Sequence, residues 1–123
     1  MTPQSFLDSF RTAGAGIVHA LVTGRNFKIE LGFAVAAIIL GLALGISLME
    51  WAVVCVCIGV VLGAECANTA LETLVDLVSP EYNELARITK DCAAGAVLIN
   101  AIAALFVAAF IFLPKMLALV GLI

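Results

Sequence analysis

Charge is scarce in this sequence. Asp, Glu, Lys and Arg supply 12% of its 123 residues, about half the share of a soluble domain. There is one histidine, one tyrosine and one tryptophan. With one histidine and no aspartate near it, a Ser-His-Asp triad is not expected, and His19 reads as a surface or headgroup-level residue. No Walker A loop, protein-kinase glycine loop or dinucleotide fingerprint occurs. No basic tract interleaved with aromatics suggests nucleic acid. The first thirty residues hold no long apolar run, so no cleavable signal peptide is expected, and the first span serves as its own insertion signal. The four cysteines, Cys55, Cys57, Cys66 and Cys92, have no histidine partners at zinc spacing and are expected to be free thiols.

Apolar residues are what the chain has in excess: 64% of it, with a mean hydropathy of +1.22. The reading is an all-α integral membrane protein, one domain over residues 1–123. Phe6, Phe10, Ala13, Ile17 and Leu21 recur at helical spacing, so residues 3–26 predict an amphipathic helix at the membrane surface. Residues 31–49 and 92–113 carry no charge and are each long enough to cross a hydrocarbon core. A second span begins at Trp51 and continues as a helix to residue 78, its end extending past the membrane. Residues 47–51 read as a tight turn, and residues 79–91 as a polar loop. Gly41-x-x-x-Gly45 and Gly59-x-x-x-Gly63 let helix backbones approach closely. Asn100, alone among apolar neighbours, predicts an interhelical hydrogen bond.

Basic residues orient the spans. Arg11, Arg25 and Lys28 precede the first and Arg87 and Lys90 lie between the second and third, whereas the 47–51 turn has none. The N-terminus and the 79–91 loop are therefore expected on the cytoplasmic side, with Lys115 and the short tail outside.

The chemistry is concentrated in one row. Glu65, Asn68, Glu72 and Asp76 fall within about 80° of one helical face and climb roughly 16 Å along the axis. Ionisable groups entering an apolar segment are costly and point to function by default. Asp76 also fits a solvated helix end; Glu65, flanked by apolar residues, does not. Carboxylates with water and phosphate oxygens hold magnesium, which takes only one or two protein carboxylates. A carboxylate in an apolar zone gains basicity and accepts a proton from an alcohol, and a lysine such as Lys90 neutralises phosphate charge. That set suits phosphoryl transfer to a lipid alcohol, driven by positioning and electrostatics. A proton or cation path along the row, and a non-catalytic membrane protein, are the alternatives.

The row, followed by Ser79-Pro80-Glu81-Tyr82 and Lys90-Asp91-x-Ala93-Ala94-Gly95-Ala96-Val97-Leu98, resembles the small bacterial diacylglycerol kinase/undecaprenol kinase family. Arg25-Asn26-Phe27-Lys28-Ile29 and Glu50-Trp51 extend the likeness over nearly the whole chain. The resemblance implies an amphipathic helix plus three spans, a homotrimer with shared active sites, and MgATP as phosphoryl donor in a bacterial plasma membrane. It makes Glu65 the base or hydroxyl-positioning carboxylate and Glu72 a magnesium ligand. Asn68 and Asp76 would contact nucleotide or order the site, Lys90 would bind phosphate, and Tyr82 and Asp91 would lie beside the nucleotide. The family usually has a glutamate where this chain has Gly24, and that glutamate helps hold the metal. Its absence implies a weaker metal site, a substitute ligand such as Glu30, or an impaired protein. The Arg-Asn-Phe and Glu-Trp surroundings look like the Gram-positive-type branch, whose usual acceptor is undecaprenol; diacylglycerol is the alternative.

Overall fold

A computed structural model describes residues 5–123. Four helices follow one another: α1 (Phe6–Thr23), α2 (Arg25–Leu44), α3 (Leu48–Val78) and α4 (Glu84–Leu119). No strand occurs among the described residues. Helices α2, α3 and α4 are each long and apolar enough to cross a membrane.

Helix α1 starts where the Ser5 hydroxyl accepts from Asp8 N–H at 3.2 Å. Only Ala20 on it is buried, against the following helices, while Phe6, Phe10, Val18 and Val22 remain exposed. Phe6 and Phe10 meet edge to face at 5.0 Å between centroids. An apolar stripe left uncovered on a short charged helix suits a membrane interface. Pro3, where the expected helix begins, lies outside the described residues. The break after α1 is the single residue Gly24, whose N–H donates to the Ala20 carbonyl at 2.8 Å.

The spans share a seam. Phe27, Ala34 and Gly41 are buried on α2 at intervals of seven residues, and Val54 and Val61 repeat the interval on α3. A seven-residue interval keeps one face toward its neighbours in left-handed helix packing. The packing is most extensive between α3 and α4. At one end Ile46, Val54, Ile111 and Phe112 form the apolar core. There a Cβ on Gly41 would stand 2.6 Å from the Trp51 ring, so glycine is what admits the indole.

The connections are shorter than the sequence suggested. The α2–α3 turn is not residues 47–51, because α3 already begins at Leu48. Ser47 and Glu50 make a capping box: Ser47 Oγ accepts from Glu50 N–H at 3.1 Å, and Ser47 N–H donates to Glu50 Oε1 at 2.9 Å. Gly45 turns the chain at φ 62°, the left-handed conformation that glycine adopts without steric cost. The 79–91 segment is helical from Glu84 onward, since Asn83 Oδ1 accepts from the N–H groups of Leu85 at 2.9 Å and Ala86 at 3.3 Å. At the other end α4 runs through Pro114 to Leu119. The ring removes one N–H bond there, but Lys115 reaches Glu50 Oε1 at 3.3 Å and ties the end of α4 to the start of α3. Asn100 makes no side-chain hydrogen bond among the described residues, so the expected interhelical bond is not formed within one chain. All four cysteines are free.

Candidate functional site

The polar row occupies the end of α3 remote from the Trp51 core. Val54, Val61 and Glu65 are the buried residues of this helix, and they lie on one face. Glu65 is therefore carried inward by the same stripe that packs the span. It is 3% exposed, and its Oε1 has no hydrogen-bond partner. Buried polar atoms are nearly always satisfied, so an orphaned carboxylate oxygen needs an explanation, and a ligand hydroxyl is one.

One turn along, Asn68 Nδ2 donates to Glu72 Oε1 at 3.0 Å, while the buried Asn68 Oδ1 also has no partner. Glu30, half-buried on α2, and Glu72 both lie within electrostatic range of Glu65. Two of the row's carboxyl groups, Glu65 and Glu72, thus share an electrostatic neighbourhood with a third, Glu30, from α2. Further along, Lys90 Nζ donates to Asp76 Oδ1 at 2.6 Å, joining the foot of α3 to α4, and it also feels the Glu72 charge.

A second cluster borders the row at the start of α4. Tyr82 Oη donates to Glu84 Oε2 at 2.7 Å. Arg87 pairs with Glu84 and donates to Asp91 Oδ2 at 2.7 Å. Tyr82 and Asp91 are thereby linked through Glu84 and Arg87, two residues that reading the row alone had missed. Their signal was present as acid–base–acid spacing of three and four residues, the spacing at which helix neighbours meet. Among the described residues no hydrogen bond joins this cluster to Glu65; Lys90, which lies between Arg87 and Asp91, reaches Asp76 at the end of the row. His19 is exposed on α1 and stands apart from the row's hydrogen bonds.

Whether these residues fit magnesium is a question of donor type and number. Among the described residues, no three His, Cys, Asp or Glu side chains converge as a closed metal cage. Magnesium does not need one: it takes one or two carboxylates and completes its octahedron with phosphate oxygens and water. Glu72 and Glu30, with the unpartnered Asn68 Oδ1 and Glu65 Oε1 nearby, provide such hard oxygen donors. The set fits.

Gly24 has a local steric meaning as well. A Cβ there would lie 2.7 Å from the Ala20 carbonyl oxygen and 3.4 Å from Phe27 Cβ. Its φ of −93° is open to any residue. The restriction is the tight approach of the α1 carbonyl, which a side chain would displace.

An amphipathic helix, three helices able to cross a membrane and a polar row at one end of the bundle define a small multi-pass membrane protein. The family of prokaryotic diacylglycerol kinases matches residues 11–112. A Synechocystis sp. protein named diacylglycerol kinase is 46% identical over 116 residues, covering 94% of this chain and 66% of its own length. A Bacillus subtilis protein named undecaprenol kinase is 39% identical over 111 residues, covering 90% of each. The chain belongs to the prokaryotic diacylglycerol kinase family and is a lipid kinase by that membership.

Proposed function

We propose that this protein transfers the γ-phosphoryl group of ATP to the hydroxyl of undecaprenol, giving undecaprenyl phosphate and ADP. It works at the cytoplasmic face of a bacterial plasma membrane as a homotrimer. The observation that carries the reading is Glu65, a buried carboxylate with an unpartnered oxygen at the inner end of the row. Glu65 Oε1 accepts the proton of the lipid hydroxyl as its oxygen bonds to phosphorus and the bond to the ADP oxygen breaks.

Asn68, tied to Glu72, holds the acceptor end of the row in register. Glu72 and Glu30 are the groups that would hold magnesium, which supplies neutralisation of phosphate charge when bound. Lys90 exchanges its contact with Asp76 for a phosphate oxygen, and Asp76 steadies the lysine before the nucleotide arrives. Tyr82 and Asp91, held by Glu84 and Arg87, flank the nucleotide. The positive-inside bias of Arg11, Arg25, Lys28, Arg87 and Lys90 supports the cytoplasmic placement, where ATP is found.

The two relatives bear names with different acceptors, and the row cannot separate them because both lipids end in a primary hydroxyl. The Arg25-Asn26-Phe27 and Glu50-Trp51 surroundings favour undecaprenol. Diacylglycerol as acceptor is the second reading, favoured by the higher identity to the Synechocystis relative. The test is label transfer from γ-labelled ATP in detergent micelles with magnesium. Undecaprenol and a diacylglycerol are offered separately to the natural chain and to Gly24→Glu. Label on undecaprenol from the natural chain is expected. Label only from Gly24→Glu would mean that Gly24 disables the kinase, and label on neither lipid from either protein would overturn the proposal.

A further inference from the structure

Asn100 is the strongly polar residue in the uncharged run of α4, and the site described above leaves it unused. Ala93, Val97, Asn100, Ala104, Val107 and Ile111 recur at alternating steps of four and three, and all are buried or half-buried. Leu98, Ile99 and Ile102 are exposed. That spacing keeps one stripe of a helix against its neighbour, so Asn100 belongs to the packed face of α4 and not to the lipid-facing one.

Two side-chain pairs fix how this stripe meets α3, which runs antiparallel to α4. Lys115 reaches Glu50 at 3.3 Å at the Trp51 end, and Lys90 reaches Asp76 at 2.6 Å at the other. From Glu50 to Asp76 α3 advances as many residues, to within one, as α4 does from Lys90 to Lys115. The two helices therefore keep step. Val54 follows Glu50 by four residues and Ile111 precedes Lys115 by four, and both stand in the apolar core. Glu65 follows Glu50 by fifteen and Asn100 precedes Lys115 by fifteen. The register thus sets Asn100 across the α3–α4 seam, level with the buried carboxylate.

Hydrogen-bonding capacity at this level is unspent. Glu65 Oε1 and, one turn along, Asn68 Oδ1 are buried acceptors without partners. The Asn100 side chain makes no hydrogen bond either, although an unpaired amide is costly inside a membrane. A group that satisfies Glu65 and Asn100 together must give one proton and offer a lone pair. An alcohol does both. The exposed α4 residues at this level, Leu98, Ile99 and Ile102, are apolar and give a second copy of the chain no such group to meet.

Resting on the kinase reading above, we infer that Asn100 is a further residue of the acceptor site, its side-chain amide holding the lipid hydroxyl opposite Glu65. The hydroxyl gives its proton to Glu65 Oε1, one lone pair of its oxygen forms the bond to phosphorus, and the bond to the ADP oxygen breaks. Asn100 Nδ2 donates to the remaining lone pair and keeps its own protons throughout. Its contribution is orientation of the attacking oxygen, and it reads the hydroxyl rather than the tail.

Asn100→Leu removes the amide at nearly constant volume. For the lipid that the natural chain phosphorylates, kcat/KM should fall about tenfold, the scale of one hydrogen bond to substrate, with KM for ATP unchanged. The melting temperature in detergent should be unchanged or raised, because an unpartnered amide leaves an apolar span. A kcat/KM within about twofold of the natural value would overturn the inference. A lowered melting temperature or a smaller oligomer would also overturn it, by assigning Asn100 a partner within the protein.

A second measurement reads the register without turnover. Glu65→Cys and Asn100→Cys are introduced together into a chain whose Cys55, Cys57, Cys66 and Cys92 are replaced by alanine, and the protein is oxidised in detergent. A disulfide within one chain, identified by peptide mass, is expected, since facing positions bring Cβ atoms within disulfide reach. A disulfide between copies, or none, would overturn the placement of Asn100. A disulfide within one chain, when the natural protein phosphorylates no lipid, would remove the kinase reading and the hydroxyl contact with it, and leave the register standing.

Discussion

Replacing Glu65 by glutamine probes the centre of the site with little change of shape. The side chain is 3% exposed and Oε1 makes no hydrogen bond, so no protein contact of that oxygen is broken. Removing its charge also removes repulsion with Glu30 and Glu72. The fold should therefore lose nothing, and thermal unfolding in detergent should give a melting temperature equal to or above that of the natural chain. Catalysis should respond in the opposite sense. A positioned general base contributes about 10²–10⁴ in rate, or roughly 3–5 kcal/mol of barrier at about 1.4 kcal/mol per decade. With ATP and undecaprenol saturating, kcat should fall by that factor while nucleotide affinity is preserved. A kcat within about threefold of the natural value, less than 1 kcal/mol, would refute the base assignment. A collapse of melting temperature would instead refute the claim that Oε1 is unpartnered in the folded protein.

Three other perturbations test separate parts of the account. Gly24→Glu forces the Ala20 carbonyl away from a Cβ that would sit 2.7 Å from it, and a steric misfit of this kind costs about 1–3 kcal/mol, to be read by thermal unfolding. Ser47→Ala deletes the cap on α3 and should lower stability by about 0.5–2 kcal/mol without changing KM for ATP, since Ser47 lies at the opposite end of α3 from the row. Lys90→Met breaks a half-exposed pair with Asp76, so the melting temperature should barely move. Loss of its phosphate contact should raise KM for ATP, and an unchanged KM would exclude Lys90 from phosphate binding.

What the sequence carried, and what it withheld, follows from the range of the interactions involved. The burial of Glu65 was legible because an acid surrounded by apolar neighbours has few places to be, whereas Glu72 and Asp76, on the same helical period, are exposed. The three spans were legible because uncharged runs of this length announce themselves. Element ends were read less well. The Ser47–Glu50 capping box is a local pattern that was open to reading, and it starts α3 within the expected turn. Asn83 similarly recruits Glu84 to Asp91 into helix, which is what lets Arg87 bridge Glu84 and Asp91 on successive turns. The approach of Glu30 to Glu65 depends on how α2 packs against α3 and has no local signature. The same holds for the Cβ-excluding contact at Gly24. Asn100 shows the converse, a plausible local inference that needs a partner no described residue offers.

The central claim is that the carboxylate row phosphorylates a lipid alcohol. Its most direct test is mass-spectrometric identification of the lipid product after purified protein is incubated with ATP, magnesium and an equimolar mixture of undecaprenol and diacylglycerol. The natural chain should yield undecaprenyl phosphate in excess over phosphatidic acid, and Glu65→Gln should yield neither above background. Equal product from both proteins, or none from the natural chain, would contradict the account.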